Sequence, residues 1–196
     1  MNTLTEKNIK QAVSVLQRGG VIAYPTEAVF GLGCDPQQKN SIRNLLQIKQ
    51  RPAEKGLILI ASSVCQLLAY IDTASISEAR WAEVQASWPG PVTWLLPYKK
   101  QVSKLIYGEH TSIAVRVSAH PAVVNICDTF GRAIISTSAN RSGQPPLRSS
   151  EEVWTQLGGQ VDFILEGGVG KAAGPSEIRD AVSGRIIRPA EQNETE

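Results

Sequence analysis

Apolar and polar positions alternate along this chain in blocks of two periods, and the blocks interleave. Ile9, Ala12, Val13 and Leu16 recur at helical spacing behind Thr5, a good N-cap, and Gly19-Gly20 closes that segment. Val21-Ile22-Ala23-Tyr24 then predicts a strand. The stretch Pro25-Thr26-Glu27-Ala28-Val29-Phe30-Gly31-Leu32-Gly33 follows it directly and reads as a glycine-bearing loop at a strand end. Asp35-Pro36 predicts the start of a second helix, with Ile42, Leu45, Leu46 and Ile48 as its buried stripe. Pro52 stops it, which puts Lys49 at the helix end and Arg51 just beyond.

The alternation continues. Leu57–Ala61 is an apolar run of the kind covered on both faces of a sheet. Ser62 or Ser63 caps a short helix through Leu67-Leu68, and Trp81, Val84 and Trp88 share a face of another, ended by Pro89-Gly90-Pro91. That spacing makes the tryptophans core residues rather than a stacking platform. Val92–Leu96, Ser112–Val117 and Ala133–Ser138 predict strands, and His120-Pro121 opens a helix through Ile126. Ser149 and Glu152 form a capping box for a helix holding Val153, Trp154 and Leu157. Val161–Leu165 is a further strand, and Glu177–Val182 with Arg185–Arg188 predicts a terminal hairpin turned at Ser183-Gly184. The whole predicts one α/β domain over residues 1–190 with a twisted, mixed parallel and antiparallel sheet flanked by helices, and a polar, frayed tail over 191–196.

Composition narrows the class. The 196 residues are 42% hydrophobic and 19% charged, which suits one globular domain able to bury a core. The apolar runs are too short to span a bilayer, and the N-terminal residues lack the pattern of a secretory signal. Cys34, Cys65 and Cys127 lie far apart without CxxC spacing, which argues against a disulfide framework or a zinc site and predicts a cytoplasmic protein. A net charge of +2 is too small to argue for nucleic-acid binding by itself.

The candidate chemistry is anion recognition. Lys49, Arg51 and Lys55 put three cations into seven residues at a helix end. Arg116 interrupts a strand otherwise built of Ile113, Val115 and Val117, and its fork matches a carboxylate or phosphate. Thr26 follows one strand, and Ser136, Ser138 and Asn140 end another, where α/β sheets bind ligands. His110 and His120 have no companion at metal-ligand spacing, and no GxSxG elbow is present. Gly167-Gly168-Val169-Gly170-Lys171 has the wrong spacing for a phosphate loop, and Ala172 stands where a magnesium-binding hydroxyl would be, so it reads as a flexible glycine-rich loop over an opening.

These residues together resemble the YrdC-like family of bacterial threonylcarbamoyl-AMP synthases, in its short single-domain form. The likeness spans nearly the whole chain. It rests on Pro25-Thr26-Glu27 with Phe30-Gly31-Leu32-Gly33, on Lys49-x-Arg51-Pro52 with Lys55, and on Trp88-Pro89-Gly90-Pro91-Val92-Thr93. It continues through Arg116, Ser136-Thr137-Ser138-Ala139-Asn140 with Ser142-Gly143, and Pro175-Ser176-Glu177-Ile178.

The resemblance implies a concave basic cavity in which L-threonine, bicarbonate and ATP give threonylcarbamoyl-AMP and pyrophosphate, for t6A modification of tRNA position 37 through a partner transferase complex. It implies Lys49 and Arg51 as catalytic residues, with Lys55, against ATP phosphates and bicarbonate. Ser138 and Asn140 contact nucleotide, and Ser136 lies near the carbamoyl group or the phosphates. Thr26 and Arg116 hold threonine, and Thr93 and Arg188 contribute. Mg2+ arrives with ATP, since no carboxylate cluster would hold it alone. The alternative reading is a module binding double-stranded RNA or rRNA precursors, although RNP aromatics are missing. Ala28 and Glu177 stand where many relatives have threonine, and Ala190 where a glycine often follows Arg-Pro.

Overall fold

The computed structural model describes residues 5–172 and 174–190, so the predicted 191–196 tail lies outside the described residues. Helix α1 (Glu6–Gln17) starts as its spacing predicts, with Thr5 Oγ1 accepting from the Asn8 amide. Strand β1 (Ile22–Pro25) is followed at once by β2 (Phe30–Cys34), and the two pair antiparallel. In the segment read as a glycine loop, residues 26–29 are the hairpin turn and residues 30–33 belong to a buried strand.

Helix α2 (Lys39–Lys49) begins later than Asp35-Pro36 suggests. Asp35 does not cap it. Its carboxylate instead accepts from the Gln37 amide at 2.9 Å and from Arg132 Nη2 at 3.2 Å, which holds a turn before the helix. Gln50, in the left-handed conformation (φ 51°), ends the helix, and a short 3-10 turn (Ala53–Lys55) leads to β3 (Ile58–Ala61).

The remaining elements are α3 (Val64–Leu67), α4 (Glu78–Ala86), β4 (Val92–Leu96), α5 (Lys104–Tyr107), β5 (Ile113–Val117), α6 (Pro121–Phe130) and β6 (Ile134–Ser138). They end with α7 (Ser150–Leu157), β7 (Phe163–Ile164), β8 (Glu177–Asp180) and β9 (Ile186–Arg188). The Ser149–Glu152 capping box is present, and His120 is the N-cap of α6. Helix α5 starts at the N-cap Ser103, whose Oγ accepts from the Leu105 amide, and it buries Ile106.

Among the described residues the strands form one sheet in the order β7-β1-β2-β6-β3-β5-β4-β8-β9. Pairs β1–β7, β3–β5 and β4–β8 are parallel and the other five antiparallel, so the sheet is mixed as the terminal hairpin requires. Side chains alternate between its faces. One face takes Ala23, Leu32, Leu59, Val115, Trp94 and Ile135 into a core with Leu45 and Leu46 of α2. The other face is covered by α1 and α6, which pack Leu16, Val13, Val123 and Ile126 on Ile22, Tyr24, Ile60 and Ile134. No helix among the described residues is long and apolar enough to cross a membrane.

Candidate active site

Beyond the reach of α1 and α6, the same sheet face opens into a cavity of about 660 Å³, within the usual range for small-molecule sites. Its floor follows the two-residue period: Ile58 and Ile60 of β3, Ala114 and Arg116 of β5, Ser136 and Ser138 of β6, with Leu95 of β4 and Ile178 of β8. Registry aligns them, since Ser136 pairs with Ile58, Ile58 with Ala114 and Ala114 with Leu95. The walls carry Arg51, Lys55 and Arg188, with Thr26 and Glu27 from the β1–β2 turn and Glu177 of β8.

Arg116 belongs to this floor because its strand neighbours Val115 and Val117 point into the core. Its Nη2 donates to Glu27 Oε2 at 3.0 Å, while the buried Nε has no partner among the described residues. The guanidinium lines the cavity floor with one nitrogen on Glu27, and a ligand carboxylate or phosphate matches its fork. Glu27 is itself anchored by Ser118 Oγ, which donates to Oε1 at 2.5 Å. Arg51 curls around the 3-10 turn, giving Nε and Nη2 to the Gly56 carbonyl at 3.2 and 3.0 Å. Arg188 Nη2 donates to the Ser176 carbonyl at 2.7 Å.

The hydroxyls differ in what they can still offer. Each has one proton. Thr26 Oγ1 gives its proton to the Val29 carbonyl at 2.7 Å, and Ser138 Oγ gives its own to Asn140 Oδ1 at 2.6 Å. Both therefore face the cavity as acceptors, Thr26 well suited to an amine. Ser136 Oγ accepts from Tyr24 and keeps its proton.

Three predicted residues stand behind the wall instead of lining it. Lys49 is only 3% exposed, with Nζ donating to the carbonyls of Ser138 (2.5 Å) and Asn140 (2.9 Å) and to Asn140 Oδ1 (3.1 Å). Burial, with the nearby Arg51 charge, brings it down to about 8. Asn140 completes the knot by giving its amide to the carbonyls of Arg141 (3.1 Å) and Gln144 (2.5 Å). Thr93 is fully buried and bonds Ser176 Oγ at 2.7 Å, so it supports a lining residue.

The motifs assign no role to several residues that the cavity uses. Glu27 sits inside a motif already singled out, and its charge next to Thr26 at a strand end was the available signal. Tyr107 at the end of α5 and His110 just after it also line the cavity, which sequence spacing alone does not bring there. The glycine-rich segment is tied down: the Gly170 amide donates to the Thr26 carbonyl at 2.9 Å and that of Ala172 to the Glu27 carbonyl at 3.0 Å. Ala28 lines the cavity as well.

Residues 14–190 match a family model described as telomere recombination, which joins Sua5, YciO and YrdC proteins. The chain belongs to this family. A threonylcarbamoyl-AMP synthase of Photobacterium profundum is 53% identical over 181 residues, covering 92% of this chain and 98% of that protein. One from Xanthomonas euvesicatoria is 48% identical over 181 residues, covering 92% and 97%. P. abyssi Sua5 complexed with L-threonine superposes with a TM-score of 0.83 at 31% identity, over 90% of this chain and 51% of that one. The chain thus spans about half of that Sua5. E. coli YciO superposes with a TM-score of 0.83 at 26% identity, covering 96% and 92%.

Proposed function

We infer that this family member is a threonylcarbamoyl-AMP synthase, a nucleotidyltransferase that joins L-threonine, bicarbonate and ATP and releases pyrophosphate. The observation that carries the reading is one cavity lined by Arg116, which Glu27 holds, and by the cations Arg51 and Lys55. The near full-length identity to proteins of that name supports it.

The chemistry fits the residues. Arg116, held by Glu27, takes the threonine carboxylate, and Thr26 Oγ accepts from its amine. The amine attacks the bicarbonate carbon and water leaves, giving a carbamate. A carbamate oxygen then attacks the α-phosphorus of ATP, the bond from that phosphorus to the bridging oxygen breaks, and pyrophosphate departs. Such transfers depend on alignment and charge stabilisation, which Arg51 and Lys55 supply at the phosphates, more than on an acid–base pair. Mg2+ comes with the nucleotide, since no group of three acidic, histidine or cysteine side chains among the described residues is arranged to hold it. Lys49 and Asn140 act by holding the Ser138 loop. The adenylate then feeds t6A formation on tRNA through a downstream transferase.

The test is pyrophosphate release from ATP by purified protein, with threonine, serine or no amino acid, and with or without bicarbonate. The expected result is release that requires both threonine and bicarbonate, and weaker turnover of serine. Tight RNA binding with a steep salt dependence and no nucleotide turnover overturns the assignment.

A further inference from the structure

Tyr24 and Ser136 lie two strands apart, on β1 and β6, with β2 between them. At the usual spacing of about 4.8 Å per strand, a side chain crosses a neighbouring strand only where that strand presents none. Strand β2 presents glycines. A Cβ on Gly31 would stand 3.2 Å from Tyr24 Cζ, and one on Gly33 only 2.8 Å from Tyr24 Cε1. The ring therefore lies in a channel over these two residues, and its hydroxyl donates to Ser136 Oγ at 2.7 Å. Tyr24 is fully buried, and Ser136 is 8% exposed, at the cavity floor.

The consequence concerns a proton. Thr26 and Ser138 have given theirs to protein acceptors. Ser136 Oγ has one lone pair filled by Tyr24, and its own hydrogen meets no protein acceptor among the described residues. We propose that Tyr24 is a positioning residue that turns the Ser136 hydroxyl into a hydrogen-bond donor aimed at an anionic oxygen of the substrate, on a phosphate or on the carbamate. This rests on the synthase reading above. Burial raises the Tyr24 phenol well above its ordinary range, so it stays protonated and remains a donor at every working pH. The two glycines of the motif thus serve the path of this ring, and the contact it reaches serves the reaction.

The experiment is a double-mutant cycle of Tyr24→Phe, Ser136→Ala and the pair, with KM for ATP, bicarbonate and threonine, kcat and melting temperature for each. Tyr24→Phe keeps the ring that fills the glycine channel. Losing one donor to a charged oxygen in Ser136→Ala lowers kcat/KM about ten- to a hundredfold. Tyr24→Phe alone lowers it about three- to tenfold, and the double variant equals Ser136→Ala. A change confined to ATP KM or kcat places the oxygen on the nucleotide, and one confined to bicarbonate places it on the carbamate. A loss from Tyr24→Phe that persists in full on the Ser136→Ala background, or that appears only in melting temperature, overturns the proposal. A wild-type protein without threonine-dependent turnover would instead fail the synthase reading. In that case the cycle on ATP and threonine affinity still decides the coupling, and its absence overturns the proposal.

Discussion

Lys49 Nζ lies 2.9 Å from the main-chain oxygen of Asn140 and 3.1 Å from its side-chain oxygen, and it also holds the Ser138 carbonyl. Three acceptors match the three protons of an ammonium. The lysine of the Lys-x-Arg motif therefore fastens the loop after β6, while Arg51 lines the cavity itself. Lys49→Met keeps the buried stem and removes the donors, leaving buried oxygens unpaired at about 1–3 kcal/mol. Amide exchange at Ala139, Asn140, Ser142 and Leu147, whose amides close this loop, is expected to speed up, with turnover falling in step. Unchanged exchange with lost turnover would return Lys49 to direct contact with substrate.

The same lysine makes stability depend on pH. Its folded value of about 8 lies below the 10.5 of an exposed lysine, so between these the unfolded chain binds more protons. Stability from this group accordingly rises with pH from about 8 to 10.5. The rise is up to about 3 kcal/mol, at 1.36 kcal/mol per unit. Urea titrations of wild type and Lys49→Met at pH 7.5 and 10 should show the gap between them widening in favour of wild type. A constant gap rejects the depressed value.

Much of this arrangement was legible because it follows from alternation. Ile113, Val115 and Val117 point one way, so Arg116 had to face the other, onto the cavity floor. The capping box at Ser149–Glu152 is local and was read directly. The Phe30–Gly33 strand was not legible, because glycine is poor in strands and reads as a turn. Its reason is tertiary: Tyr24 needs the space. Lys49 is legible only in part, since a cation at a helix end suits an anion site by chemistry alone. Its contact with a loop 91 residues away comes from the fold and leaves no trace in local spacing.

Two glycines of one segment should behave oppositely. A Cβ on Gly170 would lie 2.7 Å from the Glu27 carbonyl oxygen and 3.0 Å from Glu27 Cα, both main-chain atoms that cannot swing aside. Gly168 has nothing within 4 Å. Gly170→Ala is expected to push the Thr26–Glu27 turn out of place, raising threonine KM tenfold or more and lowering the melting temperature. Gly168→Ala should stay within about 0.5 kcal/mol of wild type. Equal effects from both would show that the segment does not brace the turn.

Glu27 holds Arg116 through Nη2 at the cavity floor, so it sets the pose of the arginine. Glu27→Gln keeps the size and removes the charge. The expected result is a threonine KM raised about tenfold with kcat and ATP KM nearly unchanged, the loss of one charge-assisted hydrogen bond. A fall in kcat at unaltered KM would place Glu27 in the chemical step.

His120 adds a second pH signature, on the acid side. As the N-cap of α6 it accepts from the Ala122 amide through Nδ1 (3.3 Å), and Nε2 lies 3.3 Å from the Gly168 carbonyl oxygen. An acceptor at Nδ1 and a donor at Nε2 describe the neutral ring. Burial lowers its value below the ordinary 6.5, with Glu27 opposing and Arg116 assisting. A depressed base binds fewer protons folded than unfolded, so its contribution is complete above 6.5 and is lost as pH falls below that value. His120→Asn keeps an N-cap acceptor and removes the titration. Unfolding in urea from pH 8 to 5 should therefore show wild type losing stability relative to His120→Asn below pH 6.5, with exchange at the Gly170 amide rising in wild type alone. Parallel curves for the two proteins would mean that the ring stays free to protonate in the fold.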